Sequence, residues 1–595
     1  MSRTEVSIRI GGAAGDGVAS TGEIFGKTLS RSGQHVYAYN SYQSVIRGGH
    51  VWFQIRGGKD PISYVGQHAD ILIALNKQTV DVHAPLLTQG GRIIFDPSKV
   101  KVEQSEVPAG VVLCPMPLYE LAKAFSPNPI MANTVAVGAA MYFIKAPIDR
   151  FKTVLEDQFG HKKADVVDAN LKAAQAGIDH AKGLWPAMDF ALPFTEKKRI
   201  FLTGNQAIAL GAIAAGCGFY SFYPMTPATS IGQYLADNGP DLGVVVKQME
   251  DEIAVINIAI GASYAGARSM CGTSGGGFAL MVEAMGMAGI TETPLVVALA
   301  QRSGPSTGLP TKTEQGDLTM VMGAGQGDYP RIVLAPRNVK EAYEATVRAF
   351  DLAEKWQTPV LVLSDLLLSE HFETEEEFPM EQVKITRHHM WDGKTNGSPY
   401  LRYALGEPGS ISPRSIPGQL GGTHIAGSDE HDEDGTLISD VRAGLPDAVA
   451  MRVKQMDKRM RKLHDCLVDM KLPERIGPKN AAITLVSWGA THGAVREAMA
   501  MLKKENIEVA SIEFTDLYPL DAQKVRAMLD AERYTIMIEG NYTGQLERLI
   551  RAESGWFPQD RLHKIDGEPF WPEEIVEKVK AAMKTPAKKH EVIHQ

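Results

Sequence analysis

The sequence predicts a multidomain α/β protein, and three observations lead to that fold class. First, 595 residues are enough for about three to five domains of ordinary size. Second, hydrophobic residues make up 44% and charged residues 22% of the chain, as in globular proteins. Third, short apolar runs alternate with longer helical patterns in three blocks, which is typical of helices layered on mainly parallel sheets.

The first block covers residues 1–185. Its opening run VSIRIGG has the β-branched alternation of a buried strand, and a glycine-rich turn and a helix follow it. Further strand candidates are HVYAYNSY, HVWFQIRGG, ADILIALN and GRIIFDP. The block therefore predicts a Rossmann-like domain. Residues 186–198 carry prolines and scattered charges and are interpreted as a linker.

The second block, residues 199–375, has the most regular alternation of strands and helices. Its strand candidates are IFLTG, FYSFYP, GVVVKQ, RSMCGTSGG, PLVVALAQR, RIVLAP and PVLVLSD. Between them, segments such as DEIAVINIAIGASYAG place apolar residues at helical spacing. This pattern predicts a doubly wound parallel sheet, which binds ligands at the carboxyl ends of its strands.

The regular pattern stops over residues 376–455 and returns over residues 456–585. The first of these segments is rich in Gly, Pro and Ser and is interpreted as a partly ordered connection. Its acidic run, residues 429–434, is interpreted as a solvated loop, because six consecutive side chains cannot converge on one cation. The later segment predicts a third α/β domain, followed by a loose tail at residues 586–595.

Charge and cysteine content exclude several classes of function. The net charge of −9 gives no basic excess for binding nucleic acid. The four cysteines are too far apart for a CxxC motif or a cluster-binding run, as expected of a reduced cytoplasmic protein. The N-terminus has no signal-peptide pattern, and no apolar run is long enough to span a membrane.

The turn after the first strand carries Gly12, Gly15 and Gly17. Their order, GxxGxG, differs from the GxGxxG fingerprint of dinucleotide-binding proteins. A tight turn that brings a helix close to the sheet is one interpretation. Binding of a phosphate-bearing ligand at the helix N-terminus is the other. Asp16 and Asn40 only imitate the GDG…N pattern of thiamine enzymes, and no metal ligand is assigned to this chain.

Two segments of the second block offer catalytic chemistry. Pro224 and Pro227 make a rigid corner after a strand, with the Thr226 hydroxyl between them. Glu252 follows Glu250 and Asp251 at the start of a long apolar helix, where a carboxylate could act as a fixed acid or base. The alternatives are an ordinary turn with a threonine cap and ordinary acidic helix capping.

A third segment is suited to an anionic substrate. Arg302 ends a strand and opens the loop SGPSTGLPTKTEQGD, which contains Thr311 among several hydroxyl side chains. An arginine with neighbouring hydroxyls fits a carboxylate through paired hydrogen bonds. The alternative is a surface loop with a solvated arginine.

These segments resemble the 2-oxoacid:ferredoxin oxidoreductases. The second block resembles the family's alpha chain through FYPMTPATS, QMEDEIAVINIAIGASYAGARSMCGTSGGGFALM and RSGPSTGLPTKTEQGDL. The first block resembles its gamma domain through IRIGGAAGDGVASTGEIFGKTL and SYQSVIRGGH, and the third resembles a transketolase C-terminal domain through LVSWGATHGAVREA and IEGNYTGQLERLI. The gamma-then-alpha order is similar to the large chain of two-subunit members, and 2-oxoglutarate is the favoured substrate.

The resemblance implies a reaction and a set of cofactors. A 2-oxoacid is decarboxylated on thiamine diphosphate, two electrons leave one at a time through an iron–sulfur cluster to ferredoxin, and the acyl group passes to coenzyme A. With 2-oxoglutarate the product is succinyl-CoA, and the reaction can also run in reverse to fix CO2. The second block is then a pyrimidine-type thiamine diphosphate domain.

The resemblance also assigns residues to roles. Glu252 matches the glutamate that bonds the cofactor's pyrimidine ring. Thr226, Arg302 and Thr311 would contact the substrate. The cofactor would also meet four residues of two turns, namely Tyr223, Pro224, Thr273 and Ser274. Arg47, Gly48 and Gly49 match an RGG turn that is linked to coenzyme A. The family's TSGPG turn is Thr273-Ser-Gly-Gly-Gly277 in this chain.

Two missing parts predict a partner. The chain has neither a magnesium–diphosphate motif nor cluster-binding cysteines. In two-subunit members of the family a smaller beta subunit carries these parts. The resemblance therefore implies Mg2+ and a 4Fe-4S cluster on such a subunit, in an (αβ)2 assembly that is active only when complete. Pyruvate, branched-chain or aryl 2-oxoacids remain alternative substrates. A non-catalytic scaffold subunit remains the alternative from another class of function.

Overall fold

A computed structural model of the chain describes residues 3–43, 48–160, 164–394, 397–406, 409, 411–438 and 445–584. The chain forms two compact units. The first contains Met1–Thr203 and Glu370–Phe378, and the second contains Gly204–Ser369 and Pro379–Gln595. No helix in the described ranges is long and apolar enough to cross a bilayer.

Twenty strands occur among the described residues. They are β1 (Glu5–Ala14), β2 (His35–Ser41), β3 (Gly48–Gly58), β4 (Ala69–Ala74), β5 (Leu87–Phe95), β6 (Val112–Pro115), β7 (Ile200–Thr203), β8 (Phe219–Phe222), β9 (Val245–Gln248), β10 (Ser269–Thr273), β11 (Leu295–Gln301), β12 (Ile332–Leu334), β13 (Pro359–Asp365), β14 (Phe372–Glu375), β15 (Glu474–Ile476), β16 (Thr484–Trp488), β17 (Ala510–Phe514), β18 (Asp516–Tyr518), β19 (Thr535–Glu539) and β20 (Asp560–His563).

The same ranges contain eighteen α-helices. They are α1 (Val18–Arg31), α2 (Lys77–His83), α3 (Leu118–Lys123), α4 (Met131–Ile144), α5 (Ile148–Phe159), α6 (Ala164–Leu184), α7 (Gly204–Ala214), α8 (Thr229–Asn238), α9 (Glu252–Tyr264), α10 (Gly275–Ile290), α11 (Leu318–Met322), α12 (Val339–Trp356), α13 (Leu366–Glu370), α14 (Pro446–Asp465), α15 (Thr491–Lys504), α16 (Ala522–Asp530), α17 (Gln545–Ser554) and α18 (Pro572–Lys584).

The first unit is built on an eight-stranded sheet of order β6-β5-β4-β1-β3-β2-β14-β7. The pairs β1–β4, β4–β5 and β5–β6 are parallel, whereas the other four pairs are antiparallel. The sheet is therefore mixed, unlike the mainly parallel sheet expected from the sequence. Residues 42–47, which join β2 to β3, are too few for a parallel crossover, so these strands run in opposite directions.

The last two strands at one edge of this sheet, β14 and β7, come from the two ends of the second block. The IFLTG run forms β7, which lies at the edge of the sheet and pairs with β14, and β14 in turn pairs with β2. The sequence prediction placed residues 199–375 in one separate domain. The structure assigns both terminal strands of that range to the first unit instead.

Helices α4 and α6 pack closely beside the sheet of the first unit. A β-carbon at Gly138 would lie 2.0 Å from the Ala174 carbonyl oxygen, and one at Gly177 would lie 2.0 Å from that of Val135. Glycine at both positions therefore lets the two backbones approach.

The turn after β1 has a structural role too, because Asp16 Oδ2 accepts a hydrogen bond from Ala13 N at 2.8 Å and Gly17 starts α1 with φ +78°.

The second unit contains the doubly wound sheet, in the order β9-β8-β10-β11-β13-β12-β18. All neighbouring strands are parallel except β12 and β18. The chain leaves β8 for β9 on one side and then returns past β8 to β10. The direction of winding thus reverses between β8 and β10, which is where such sheets bind ligands.

The third block packs against this sheet and belongs to the same unit. Its five-stranded sheet has the order β15-β17-β16-β19-β20, and β18 joins the edge of the larger sheet. Trp488 and Phe514 share one apolar core with Val297 and Leu361 of the larger sheet. The two α/β blocks are therefore joined by apolar burial, which stabilises them as one body.

A buried ionic cluster attaches α14 to the end of α10. Glu292 is fully buried, and its carboxylate accepts a hydrogen bond from Lys458 Nζ at 2.7 Å. Lys462 Nζ lies 2.7 Å from the other carboxylate oxygen and donates to the Gln357 carbonyl at 3.0 Å. Burial alone would raise the pKa of Glu292, but Lys458, Lys462 and Arg402 hold that pKa well below its usual range. The carboxylate is therefore ionised.

Candidate functional site

The candidate site lies at the carboxyl ends of β8, β10 and β11, beside the reversal in winding. Tyr223 and Pro224 follow β8 directly, Thr273 ends β10, and Arg302 follows β11. Parallel neighbours bring these ends together at one edge of the sheet. These four residues thus share one edge because of sheet topology.

The turn after β8 is joined to the end of β11 by a direct hydrogen bond. Arg302 Nη1 donates to the Thr226 carbonyl oxygen at 2.8 Å. Helix α8 begins after Ala228 without a side-chain cap, so neither Thr226 nor Thr229 acts as the capping residue that the alternative interpretation required. Tyr223 is exposed, which leaves its ring available to a ligand.

The three consecutive acids before α9 have different environments. Asp251 caps the helix, because its side chain accepts a hydrogen bond from Ala254 N at 2.8 Å. Glu250 is exposed. Glu252 is only 4% exposed, and its Oε1 is buried without a hydrogen-bond partner. A buried polar atom without a partner carries a desolvation cost, so a ligand that donates to this oxygen would be favoured.

The Glu252 side chain lies against the turn from β10 into α10. A β-carbon at Gly277 would lie 2.2 Å from Thr273 Oγ1 and 2.7 Å from Glu252 Oε1. These two side chains therefore converge on the backbone of Gly277. The Ser274 hydroxyl, at the start of α10, is also buried without a partner. The turn combines unpaired polar atoms with glycines that permit close approach.

Asp317 is a member of this region that the sequence analysis missed. Its Oδ2 is buried without a partner and would lie 2.4 Å from a β-carbon on Gly275. Its backbone N–H donates to Gln301 Oε1 at 2.9 Å. Burial, together with the nearby charge of Glu314, raises the pKa of Asp317 to about 7 despite the attraction of Arg302. A carboxyl group that titrates near neutral pH thus adjoins the turn.

Replacing Asp317 with asparagine is expected to raise the Tm, and the gain should grow with pH. The folded pKa of about 7 exceeds the ordinary value of 3.8, so wild-type stability falls as the pH rises between these values. Asparagine does not titrate. Thermal unfolding of both proteins between about pH 5 and pH 8 measures the effect. A difference in Tm that is the same at every pH would contradict this prediction.

The loop after Arg302 is held by the third block. The Gln315 backbone N–H donates to the Gly540 carbonyl at 2.7 Å, and Gln315 Nε2 donates to the Trp488 carbonyl at 2.9 Å. Thr311 is half-buried within the loop. Across the described residues, no hydrogen bond joins it to Thr226, Arg302 or Glu252. The loop is therefore held both by the third block and, through Asp317, by β11 of the sheet that carries the site.

The proposed coenzyme A turn belongs to the first unit. Gly48 and Gly49 begin β3 with φ angles of +80° and +70°, which favour glycine. A β-carbon at Gly49 would lie 2.2 Å from Gln43 Oε1. Arg47 lies outside the described residues.

Family models match most of the chain. The model described as "Pyruvate flavodoxin/ferredoxin oxidoreductase, thiamine diP-bdg" matches residues 210–444. The model "Pyruvate ferredoxin/flavodoxin oxidoreductase" matches residues 7–180, and "Transketolase, C-terminal domain" matches residues 475–552. The second unit therefore contains a thiamine diphosphate-binding domain.

Similar proteins cover nearly the whole chain. A relative from Aeropyrum pernix named "2-oxoacid:ferredoxin oxidoreductase 2, subunit alpha" is 30% identical over 99% of both chains. The "2-oxoglutarate synthase subunit KorA" of Methanothermobacter marburgensis is 34% identical and covers 64% of this chain and 98% of its own.

A solved structure is similar over the same length. It is titled "2-oxoglutarate:ferredoxin oxidoreductase from Magnetococcus marinus with 2-oxoglutarate, coenzyme A and succinyl-CoA bound". Its TM-score is 0.89, with 36% identity over 97% of this chain and 99% of that one. Together with the thiamine-domain match, these similarities show that the chain belongs to the 2-oxoacid:ferredoxin oxidoreductases, as an alpha subunit.

Proposed function

We propose that this chain is the alpha subunit of a 2-oxoglutarate:ferredoxin oxidoreductase. The enzyme would convert 2-oxoglutarate and coenzyme A into succinyl-CoA and CO2, with two electrons passing to ferredoxin. In the reverse direction it would fix CO2. The similarity to the Magnetococcus marinus enzyme, which was solved with 2-oxoglutarate and succinyl-CoA bound, is the observation that carries the choice of substrate.

The residues around Glu252 fit the aminopyrimidine ring of thiamine diphosphate. The ring needs a carboxylate acceptor in a dry pocket, and Glu252 Oε1 is buried and unpaired. When bound, the cofactor supplies the electron sink for decarboxylation. Glu252 would accept a hydrogen bond from the ring and hold a proton there. Tyr223, Pro224, Thr273 and Ser274 would surround the cofactor at the same edge of the sheet.

Substrate recognition is assigned to the turn after β8 and the loop after β11. Only Nη1 of Arg302 is used by the Thr226 carbonyl, so its other N–H groups are available to a carboxylate. Thr226 and Thr311 would supply hydroxyl donors. Arg47, Gly48 and Gly49 of the first unit would bind coenzyme A, in line with the RGG turn.

A beta subunit would carry Mg2+ and the 4Fe-4S cluster in an (αβ)2 enzyme. All four cysteines of this chain are buried free thiols, and burial raises the pKa of Cys271 to about 12, so these thiols are unsuited to holding iron. Free thiols also support a cytoplasmic location. Helices α9 and α10 leave Ile253 and Leu280 more than half exposed, as expected of a surface that a partner covers.

The proposal is tested by purifying the chain with its partner and measuring turnover. A partner of about half this size is expected, with bound thiamine diphosphate and a cluster. Ferredoxin reduction is then compared with 2-oxoglutarate, pyruvate, and branched-chain and aryl 2-oxoacids. A higher kcat/KM for 2-oxoglutarate supports the proposal, and a clear preference for pyruvate would refute the substrate assignment.

Replacing Gly277 with alanine is expected to weaken thiamine diphosphate binding by at least about tenfold. The new β-carbon would push Thr273 and Glu252 from their positions, and a tenfold change needs only about 1.4 kcal/mol. The matched control is Gly276→Ala, whose β-carbon meets no atom closer than 3.9 Å. Cofactor titration of both variants gives the measurement. Equal affinities in the two variants would be incompatible with a cofactor ring beside Gly277.

A further inference from the structure

The second unit has a cavity away from the thiamine domain's candidate site. It has a volume of about 290 Å3 and lies between the last turns of α10, residues 326–329 and α14. Among the residues that line it are Gly286, Gln326, Asp328, Arg452 and Arg459. Ligand-binding cavities have volumes of about this size or larger.

The cavity and the site at Glu252 lie at opposite edges of the sheet. Helix α10 starts at the carboxyl end of β10 and runs back toward the amino end of β11. Gly286 follows Gly275 by eleven residues, or about 16 Å at 1.5 Å per residue. Residues 326–329 likewise precede β12. The cavity is therefore separate from the residues assigned to catalysis.

Arg459 supplies an unused donor in this cavity. The residue is 2% exposed, and its Nη2 donates to the two carboxylate oxygens of Glu430 at 3.0 and 2.8 Å. Its Nη1 is buried and has no hydrogen-bond partner among the residues that the structure describes. A buried guanidinium N–H without an acceptor is costly, and a ligand oxyanion would remove that cost.

Beside the cavity, two arginines share one hydrogen-bonded carboxylate. Glu430 also accepts from Arg452, so a single carboxylate serves two arginines. This pairing shows that the acidic run at residues 429–434 is not simply a solvated loop, since Glu430 is half-buried against α14. At the rim, Glu283 and Asp328 are exposed carboxylates. Their charge opposes any anion, so the hydrogen bond from Arg459, and not the net charge of the lining, would have to hold an oxyanion.

We propose that this cavity binds a small molecule through one oxyanion group, either a carboxylate or a phosphate monoester, which accepts from Arg459 Nη1. The occupant lies between α10 and α14, and its oxyanion completes the hydrogen bonding of Arg459.

The test measures binding of inorganic phosphate and of acetate to the full chain by calorimetry, with sodium chloride at equal ionic strength as the blank. Saturable binding of one anion with a Kd of about 1 mM or tighter is expected. Binding of phosphate alone identifies the phosphate class, and binding of acetate alone identifies the carboxylate class. No saturable binding of either anion would overturn the proposal.

Two variants locate the binding in the cavity without removing a charge. Gly286→Met would fill it from α10, whereas Gly286→Ala is the matched control, because a β-carbon there meets no atom closer than 4.0 Å. Gln326→Trp fills it from an exposed position, and it serves if the methionine variant does not fold. Affinity should fall at least about tenfold in the filling variants and persist in Gly286→Ala. Undiminished binding in folded filling variants would place the anion elsewhere and refute the proposal.

Discussion

Replacing Glu252 with glutamine is expected to lower kcat of the complete αβ enzyme by about 100- to 10,000-fold, the range attributed to general acid–base groups. The amide keeps the size of the side chain but can neither accept a proton nor carry the negative charge. Glu252 is buried with Oε1 unpaired, so water cannot replace the carboxylate. Steady-state ferredoxin reduction at saturating cofactor and 2-oxoglutarate gives the measurement.

Glu250→Gln is the matched control, because it makes the same chemical change at an exposed position two residues earlier. Turnover of this variant should equal that of the wild type. If Glu252→Gln retained near wild-type turnover in the folded complex, this chain would be a scaffold and the catalytic groups would belong to its partner. That outcome would refute the assigned role of Glu252 and leave family membership intact.

Replacing Glu292 with glutamine is expected to destabilise the second unit by about 3–5 kcal/mol, as when one partner of a buried ion pair is removed. Lys458 and Lys462 would remain buried without their counter-charge, and their side chains are at most 3% exposed. Denaturant-induced unfolding of the full chain should show a transition shifted to lower denaturant concentration, accompanied by loss of the contacts between α14 and α10.

Glu23→Gln gives a suitable comparison, because Glu23 pairs with Lys27 on the surface of α1, with both side chains about one-third exposed. Such i,i+4 pairs contribute only about 0.3–0.5 kcal/mol. A Glu292 variant no less stable than the Glu23 variant would mean that the ion pairs of Glu292 do not contribute to holding α14. Glu292→Met removes the same negative charge. It should therefore destabilise the protein less than Glu292→Gln only if the two lysine side chains become exposed to water in the methionine variant.

Local patterns predicted most strands and helices but not every strand partner. The runs FYSFYP, RSMCGTSGG and PLVVALAQR form the strands β8, β10 and β11 as expected. The run IFLTG is a strand too, yet it pairs with β14 in the sheet of the first unit. Three consecutive apolar residues specify an extended segment and a buried face, whereas pairing depends on tertiary contacts that distant residues supply.

The candidate site was predictable where residues follow strands and was missed where they do not. Thr273 ends a parallel strand, Arg302 directly follows one, and Thr226 lies in the turn four residues after another, so their grouping follows from sheet topology. Asp317 lies in an irregular loop whose position depends on Gln301 and on contacts with the third block. The position of Asp317 just before the short helix α11 could have indicated a functional carboxylate. An acid at that position is also an ordinary helix cap, so the sequence does not distinguish the two roles.

The sheet of the first unit also has a consequence for synthesis on the ribosome. Strand β7 has no partner until β14 emerges, about 170 residues later. Strand β2 precedes β14 by about 330 residues, so at roughly 5–20 residues per second its outer edge would stay unpaired for about 15–65 seconds. Unpaired edges invite association with other chains. Nascent chains halted before residue 372 should therefore depend on chaperones more than chains halted after residue 378.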